Sequence, residues 1–159
     1  MSKVNVEKYK NVILYFFANC NNSHLGKTKL NKLLYYLDFI SYRDNGVSVT
    51  GDTYIHEDYG PIPVTVDEIL ASLKKEKKIE VDFDASYKRS GKYTFRNKAN
   101  FNPKIYNTYE KTLLKKISKF FYPWSTDKII TQTHLEAPWF YSKIYDIVDF
   151  AYSKDIDIF

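Results

Sequence analysis

The sequence predicts a mainly α (α+β) fold, a compact helical domain around a buried central helix with a small β-hairpin. The main observation is an apolar stripe at the helical period in residues 28–45, made of Leu30, Leu33, Leu34, Leu37 and Ile40. A second stripe at helical spacing runs beside it through Tyr35, Phe39 and Tyr42. The remaining polar strip is narrow and contains Lys29, Asn31, Lys32 and Arg43. A helix that is apolar on most sides is expected to pack in the middle of its domain.

Length and composition favour one domain spanning residues 1–159. A chain of this size buries about two thirds of its unfolded surface, and neither a repeat nor a linker divides it. Its single cysteine, Cys20, excludes an intrachain disulfide. No apolar run approaches the roughly 18 residues that span a bilayer, and residues 1–12 lack the apolar core of a signal peptide. We therefore expect a cytoplasmic protein.

The first half of the chain is predicted to contain three helices and one short extended segment. The first helix has an apolar stripe formed by Tyr9, Val12, Ile13, Phe16, Phe17 and Cys20. The turn at residues 44–46 is expected to end the central helix, since it contains a glycine. Residues 53–56 are interpreted as a short strand, and Pro63 is expected to open the third helix.

The second half is predicted to contain a β-hairpin and two further helices. Residues 79–84 alternate between apolar and acidic side chains, and Tyr93 and Phe95 resume the alternation after a turn. Pro103 is expected to open the fourth helix, with an apolar stripe of Ile105, Tyr109, Leu113, Ile117 and Phe120. Ser125 is a suitable N-cap for the fifth helix.

The sequence contains no convincing catalytic or metal-binding pattern. His24, His56 and His134 are far apart and belong to no metal-binding motif. His134 with Glu136 could form one acid–base pair, but we favour a histidine that packs or caps a helix end. Residues 26–28, Gly-Lys-Thr, resemble the end of a phosphate-binding loop but lack its upstream glycine, so we interpret them as a coincidence. We expect a protein that is not an enzyme and needs no cofactor or metal.

Excess positive charge is concentrated in the middle of the chain. Residues 74–135 contain 15 basic and 6 acidic side chains, whereas residues 136–159 contain 2 basic and 5 acidic ones. In the predicted hairpin, aromatic residues accompany a basic cluster formed by Lys88, Arg89, Lys92 and Arg96. Such a combination could bind single-stranded nucleic acid. The same alternation also describes a half-buried hairpin with a solvated face, so both interpretations stay open.

Three segments carry a resemblance to a known family. The first is Leu30-Asn31-Lys32-Leu33-Leu34-Tyr35, the second is Tyr59-Gly60-Pro61, and the third runs from Thr133 and His134 to Trp139. Together they resemble the Panacea domain, also known as the SocA-like antitoxin or phage-associated protein family. The resemblance spans roughly residues 8–152. In the third segment Thr133 replaces the serine of the family pattern and Leu135 replaces a common acidic residue.

The resemblance implies an antitoxin of a bacterial or prophage toxin–antitoxin pair. Domains of this family neutralise unrelated toxins by direct binding, including translation-blocking and alarmone-synthetase-like toxins. Our leading hypothesis is a non-catalytic antitoxin that occludes the active site of a cognate toxin. An alternative from one branch of the family is an adaptor that delivers the toxin to a cellular protease, and nucleic-acid binding by the basic region is the other alternative.

The motif residues are expected to be mainly scaffold. Leu30, Leu33 and Leu34 are interpreted as core, and Gly60 and Pro61 as residues that fix a turn. Lys32 falls on the polar strip, where it is either solvated or in contact with a partner. The other candidates for partner binding are Trp139, Tyr141 and Tyr145, which form either an exposed aromatic patch or a tail that caps the core.

Overall fold

The computed structural model describes residues 3–88 and 91–159. The first two helices are α1 (Val6–Asn19) and α2 (Lys27–Asn45). The predicted stripe of α1 is confirmed, because all six of its residues are buried. The side chain of Asn5 caps this helix by accepting a hydrogen bond from the backbone of Lys8. The central position of α2 is confirmed as well, since its five-residue leucine–isoleucine stripe is completely buried.

The prediction that four residues of α2 form a polar surface strip is wrong for three of them. Lys29, Asn31 and Lys32 are buried together with the apolar stripes. The ammonium of Lys29 donates hydrogen bonds of 3.1 and 2.8 Å to the carbonyls of Tyr122 and Trp124. Carbonyl groups of a distant loop thus replace the water that the Lys29 ammonium would otherwise contact.

A first β-hairpin follows α2. Strand β1 (Tyr54–Glu57) pairs antiparallel with β2 (Gly60–Pro63), and Tyr54 lies opposite Pro63. The predicted extended segment is therefore confirmed, but Pro63 does not open a helix. Pairing with β1 keeps the chain extended at Pro63, and helix α3 (Val66–Lys75) begins three residues later.

The second β-hairpin is the predicted one. Strand β3 (Ile79–Asp84) pairs antiparallel with β4 (Lys92–Asn97). Phe95 is buried and stacks on Phe17 of α1, with ring centroids 4.6 Å apart. Arg89, one of the predicted basic residues, lies outside the described residues.

The remaining elements are helices. A 3-10 turn (Pro103–Ile105) precedes α4 (Thr108–Phe121), so Pro103 does not open the fourth helix. That helix begins instead at a capping box, in which Asn107 and Glu110 each bind the other's backbone N–H. Phe121 rather than Phe120 is buried at its end. Ser125 caps α5 (Thr126–His134) as predicted, and α6 (Ala137–Phe140) and a 3-10 segment (Phe150–Asp155) follow.

One hydrophobic cluster extends from Tyr9 near the start of the chain to Ile158 near its end. Tyrosines contribute heavily to it, because Tyr9, Tyr35, Tyr36 and Tyr54 are completely buried. The structure is mainly helical, as predicted, and it contains two small antiparallel sheets where one β-hairpin was expected. None of the helices in the described residues is long and apolar enough to cross a membrane.

Candidate interaction site

Lys32 connects α2 to the first β-hairpin inside the protein. Its side chain is completely buried, and its ammonium donates a 3.0 Å hydrogen bond to the carbonyl of Pro61. Burial lowers the pKa of Lys32 to about 7, although the nearby Glu57 carboxylate opposes this shift. The expectation of a solvated Lys32 is therefore wrong, and its ammonium is not exposed for a partner to contact.

Gly60 lets the β1–β2 turn pack directly on Lys32. Its φ of +105° is one that side chains other than glycine rarely adopt. An added Cβ would lie 2.7 Å from both Lys32 Cε and Thr133 Oγ1. The three family segments therefore meet at one place, which we call the motif cluster and which consists of Lys32, Gly60, Pro61 and Thr133.

A buried carboxylate joins α2 to the end of α5. The hydroxyl of Tyr35 donates a 3.1 Å hydrogen bond to Glu136 Oε1, and Gln132 Nε2 donates one of 3.3 Å to Oε2. Burial raises the pKa of Glu136 to about 7, although these hydrogen bonds oppose the shift. The hydroxyl of Tyr36 is buried with no hydrogen-bond partner among the described residues.

Trp139 is held between two histidines. Its ring stacks on His134 at 3.9 Å and on His56 at 4.3 Å between centroids. The indole Nε1 donates a 3.0 Å hydrogen bond to the carbonyl of Glu57. Trp139 is only half-buried, but both of its faces and its N–H are occupied by the protein itself. Its position fits an anchor for the neighbouring segment better than the centre of an exposed patch.

The chain after Trp139 pairs with the free edge of β1. The backbone N–H groups of Tyr145 and Val148 donate to the carbonyls of His56 and Tyr54, both at 2.8 Å. In return, the N–H of His56 donates to the carbonyl of Asp146 at 2.9 Å. This short extension of the first sheet fixes the backbone of residues 145–148.

The Ser142 hydroxyl holds the turn between Trp139 and this extension. It donates to the carbonyl of Trp139 at 2.9 Å and lies 2.7 Å from His56 Nδ1. A hydroxyl has a single proton to donate. With that proton on the Trp139 carbonyl, Nδ1 of His56 is the donor in the second contact.

Six large apolar side chains lie exposed between residues 135 and 147, and two of them belong to the stretch that pairs with β1. Their exposed fractions range from 48% to 75%, and we call the set the apolar face: Leu135, Phe140, Tyr141, Ile144, Tyr145 and Ile147. Tyr59 of the β1–β2 turn is also 64% exposed. Apolar side chains concentrated on one exposed segment are typical of protein interaction surfaces.

Acidic groups accompany the apolar face. Asp146 lies within the segment and Asp149 follows it, and both are exposed. Asp58 is exposed in the β1–β2 turn, one residue after the carbonyl that Trp139 binds. Lys143 is the basic residue within the segment. A protein that complements this region would present an apolar centre with basic residues around it.

The predicted basic cluster is balanced by acidic residues only in part. In the β3–β4 register, Asp84 lies opposite Lys92 and Glu80 lies opposite Arg96. Glu80 forms ion pairs with Arg96 and with Lys98. This cross-strand pairing reduces the net positive charge that a nucleic acid would meet on the hairpin.

The described residues show no cluster of side chains suited to a metal ion. Within residues 3–88 and 91–159, no three His, Cys, Asp or Glu side chains are grouped closely enough to hold a metal ion. The carboxylates buried most deeply bind hydroxyls and backbone amides. Asp38, for example, accepts from the backbone of Val49 and Thr50 and from the hydroxyl of Tyr54.

Some residues of this region could not be recognised from the sequence. Glu136 and His56 have structural roles because their partners lie on other elements, and no local pattern marks those partners. One signal of the apolar face was present in the sequence. Its leucine and isoleucines fit no helical stripe in the C-terminal tail.

The three motif segments converge in the interior, and the exposed apolar face lies in the last of them and directly after it. The sequence matches the family described as antitoxin SocA-like, Panacea domain, over residues 30–140. The chain therefore belongs to the SocA-like antitoxin family of Panacea domains. No curated protein and no solved structure matched the chain at the threshold applied.

Proposed function

We propose that this protein is a non-catalytic antitoxin that binds a cognate protein toxin and occludes its active site. Membership in the SocA-like family supports the antitoxin role. The observation that supports direct binding is the apolar face, whose six large side chains stay exposed. The last part of this segment, residues 145–148, is hydrogen-bonded to β1. We propose that the pair acts in the cytoplasm and that the gene has a prophage association.

The apolar face has the properties of an interface hot spot. Phe140 and Tyr141 contact each other at 5.2 Å between ring centroids, and both are about two thirds exposed. Large aromatic side chains contribute most of the binding free energy at many interfaces. Since Trp139 and the β1 pairing fix their backbone beforehand, binding would cost little conformational entropy.

The motif cluster and the apolar face would then have separate tasks. Lys32, Gly60 and Pro61 hold the β1–β2 hairpin against α2, and this hairpin in turn carries Glu57, which binds Trp139. In this view the family motifs preserve a scaffold. The exposed residues of the C-terminal segment are free to vary with the toxin.

A co-expression experiment tests the proposed function. The product of the adjacent gene is expressed alone and together with this protein, and growth is measured. We expect growth arrest with the neighbour alone and normal growth with both. A neighbour that never arrests growth, or that arrests it equally in both cases, would contradict the proposal.

Toxin abundance in the same cells separates occlusion from delivery to a protease. Occlusion predicts a stable toxin in a stoichiometric complex. An adaptor predicts that toxin levels fall when this protein is present and recover in a protease-deficient host. The second result would replace occlusion by the adaptor mechanism.

A further inference from the structure

A cavity of about 570 Å³ opens between the start of α2, the start of α5 and the β3–β4 hairpin. Its volume lies in the range of about 300–1,000 Å³ that is usual for small-molecule sites. The antitoxin role proposed above does not use this cavity. The described residues that line it provide ammonium groups, tyrosine rings and the starts of two helices. They include Lys27, Lys88, Lys92, Tyr59, Tyr87 and Tyr93.

The cavity has a net positive lining. Lys27, Lys88 and Lys92 come from two different elements, whereas Asp127 is the one carboxylate among the described lining residues. Lys92 Nζ donates a 2.5 Å hydrogen bond to the carbonyl of Ser23, which positions the ammonium without neutralising it. Lys27 pairs with Asp67, so its charge is partly balanced. An anionic group is therefore favoured in this cavity.

Aromatic rings lie next to these ammonium groups. Tyr59, Tyr87 and Tyr93 are all at least one third exposed. The ammonium groups of Lys88 and Lys92 lie 5.6 and 5.2 Å from the centroid of the Tyr87 ring. A planar base can stack on a tyrosine ring in place of the ammonium groups that now lie over Tyr87, and the displaced lysines can then bind its phosphate.

The start of α2 adds donors to the same cavity. Its N-cap is Gly26, which has no side chain to bind the free backbone N–H groups of the first turn. A Cβ at Gly26 would lie 3.2 Å from the carbonyl of Tyr93, so the hairpin packs closely against the helix start. The Gly-Lys-Thr tripeptide at residues 26–28, interpreted above as a coincidence, thus begins a helix that faces the cavity.

From this arrangement we infer that the cavity binds a free nucleotide, with the base on the tyrosine rings and the phosphates on the lysines. Asp127 is available to accept a hydrogen bond from a ribose hydroxyl, as acidic residues do in other nucleotide sites. The volume of the cavity suits a single nucleotide. Nucleotide binding would not depend on the proposed toxin-binding surface, since no residue of the apolar face lines the cavity.

Isothermal titration calorimetry on the full chain tests the inference, with ATP, GTP, CTP and UTP as probes and tripolyphosphate as the base-free comparison. We expect at least one nucleoside triphosphate to bind, and to bind more tightly than tripolyphosphate. The double variant Lys88→Gln with Lys92→Gln should weaken this binding at least tenfold. Tyr87→Ser should weaken binding of the nucleotide but leave tripolyphosphate unchanged.

The matched control removes two charges elsewhere, through Lys115→Gln with Lys119→Gln on the exposed side of α4. It should bind the nucleotide almost as tightly as the original protein. The inference is overturned by no nucleotide binding at millimolar concentration, by equal losses in the two double variants, or by binding that Tyr87→Ser does not affect. Binding of a ten-residue oligothymidylate without binding of any free nucleotide would also overturn it.

Discussion

The ammonium of Lys32 donates a 3.0 Å hydrogen bond to the carbonyl of Pro61, 29 residues further along the chain. Through this contact the first two family motifs meet in the interior. The same turn carries Gly60, whose packing against Thr133 brings in the third segment. The cluster needs a lysine as donor and a glycine at the close contact, whereas the acceptor at Pro61 is a backbone carbonyl. The lysine and the glycine of the motifs thus have a structural role.

Replacement of Gly60 by alanine should destabilise the protein strongly. The new Cβ would lie 2.7 Å from Lys32 Cε and Thr133 Oγ1, in addition to the cost of a positive φ. We expect a loss of about 2–4 kcal/mol in the free energy of unfolding, measured by urea denaturation. Gly46→Ala is the matched control, since Gly46 also has a positive φ but nothing lies within 4 Å of its Cβ position. It should cost about 1 kcal/mol. Equal losses in the two variants would show that the close packing at Gly60 is unimportant.

Glu136→Gln should change how stability depends on pH. The pKa of Glu136 is raised from 4.5 to about 7 in the folded protein, so between these values the folded state binds more protons than the unfolded state. Stability due to this group is therefore full below pH 4.5 and is lost as the pH rises towards 7, with a slope of up to about 1.4 kcal/mol per pH unit.

Urea denaturation of both proteins at several pH values between 4.5 and 7.5 checks this expectation. Glutamine keeps an acceptor for the Tyr35 hydroxyl but does not titrate, so the difference in stability between the two proteins should shift in favour of the variant as the pH rises. Asp38, whose pKa burial raises to about 6, contributes to both proteins and cancels in the difference. A difference that is constant across this range would contradict a protonated Glu136.

Trp139→Phe should loosen the extension of the first sheet. Phenylalanine keeps an aromatic ring between His56 and His134 but loses the hydrogen bond to Glu57, which is worth about 1 kcal/mol. We expect faster hydrogen exchange at the amides of Tyr145 and Val148, which bond to β1. Trp124→Phe is the control for replacing a tryptophan elsewhere in the protein, because the Trp124 ring packs on Phe121 of α4. Unchanged exchange in Trp139→Phe would show that Trp139 does not anchor the segment.

Much of the fold was predictable because its signals are local. The stripes of α1 and α2, the alternation in β3 and β4 and the Ser125 cap each depend on neighbours in sequence. The second strand of the first hairpin was missed because two prolines obscure it, and its pairing with β1 decides its conformation. Lys32 was misjudged for a similar reason, since its hydrogen-bond acceptor comes from a distant turn.

The candidate site was predictable only in part. Tyr141 and Tyr145 are 64% and 67% exposed. This agrees with the expectation of exposed aromatic residues and not with that of a tail that caps the core. Trp139 differs from them because His56 and His134 occupy both faces of its ring, and the contact with the distant His56 leaves no periodic pattern. The assignment of these residues to toxin binding remains a prediction.

Inhibition of the purified toxin is the most direct test of the central claim that the apolar face binds and occludes it. The product of the adjacent gene is titrated with the original protein, with the double variant Phe140→Ser and Tyr141→Ser, and with Val47→Ser as an exposed apolar control. We predict inhibition at a 1:1 ratio by the original protein and the control. The double variant should bind about 30-fold more weakly, as expected for a loss of about 2 kcal/mol at a hot spot, with unchanged thermal stability. Full inhibition by the double variant at the same ratio would contradict the claim.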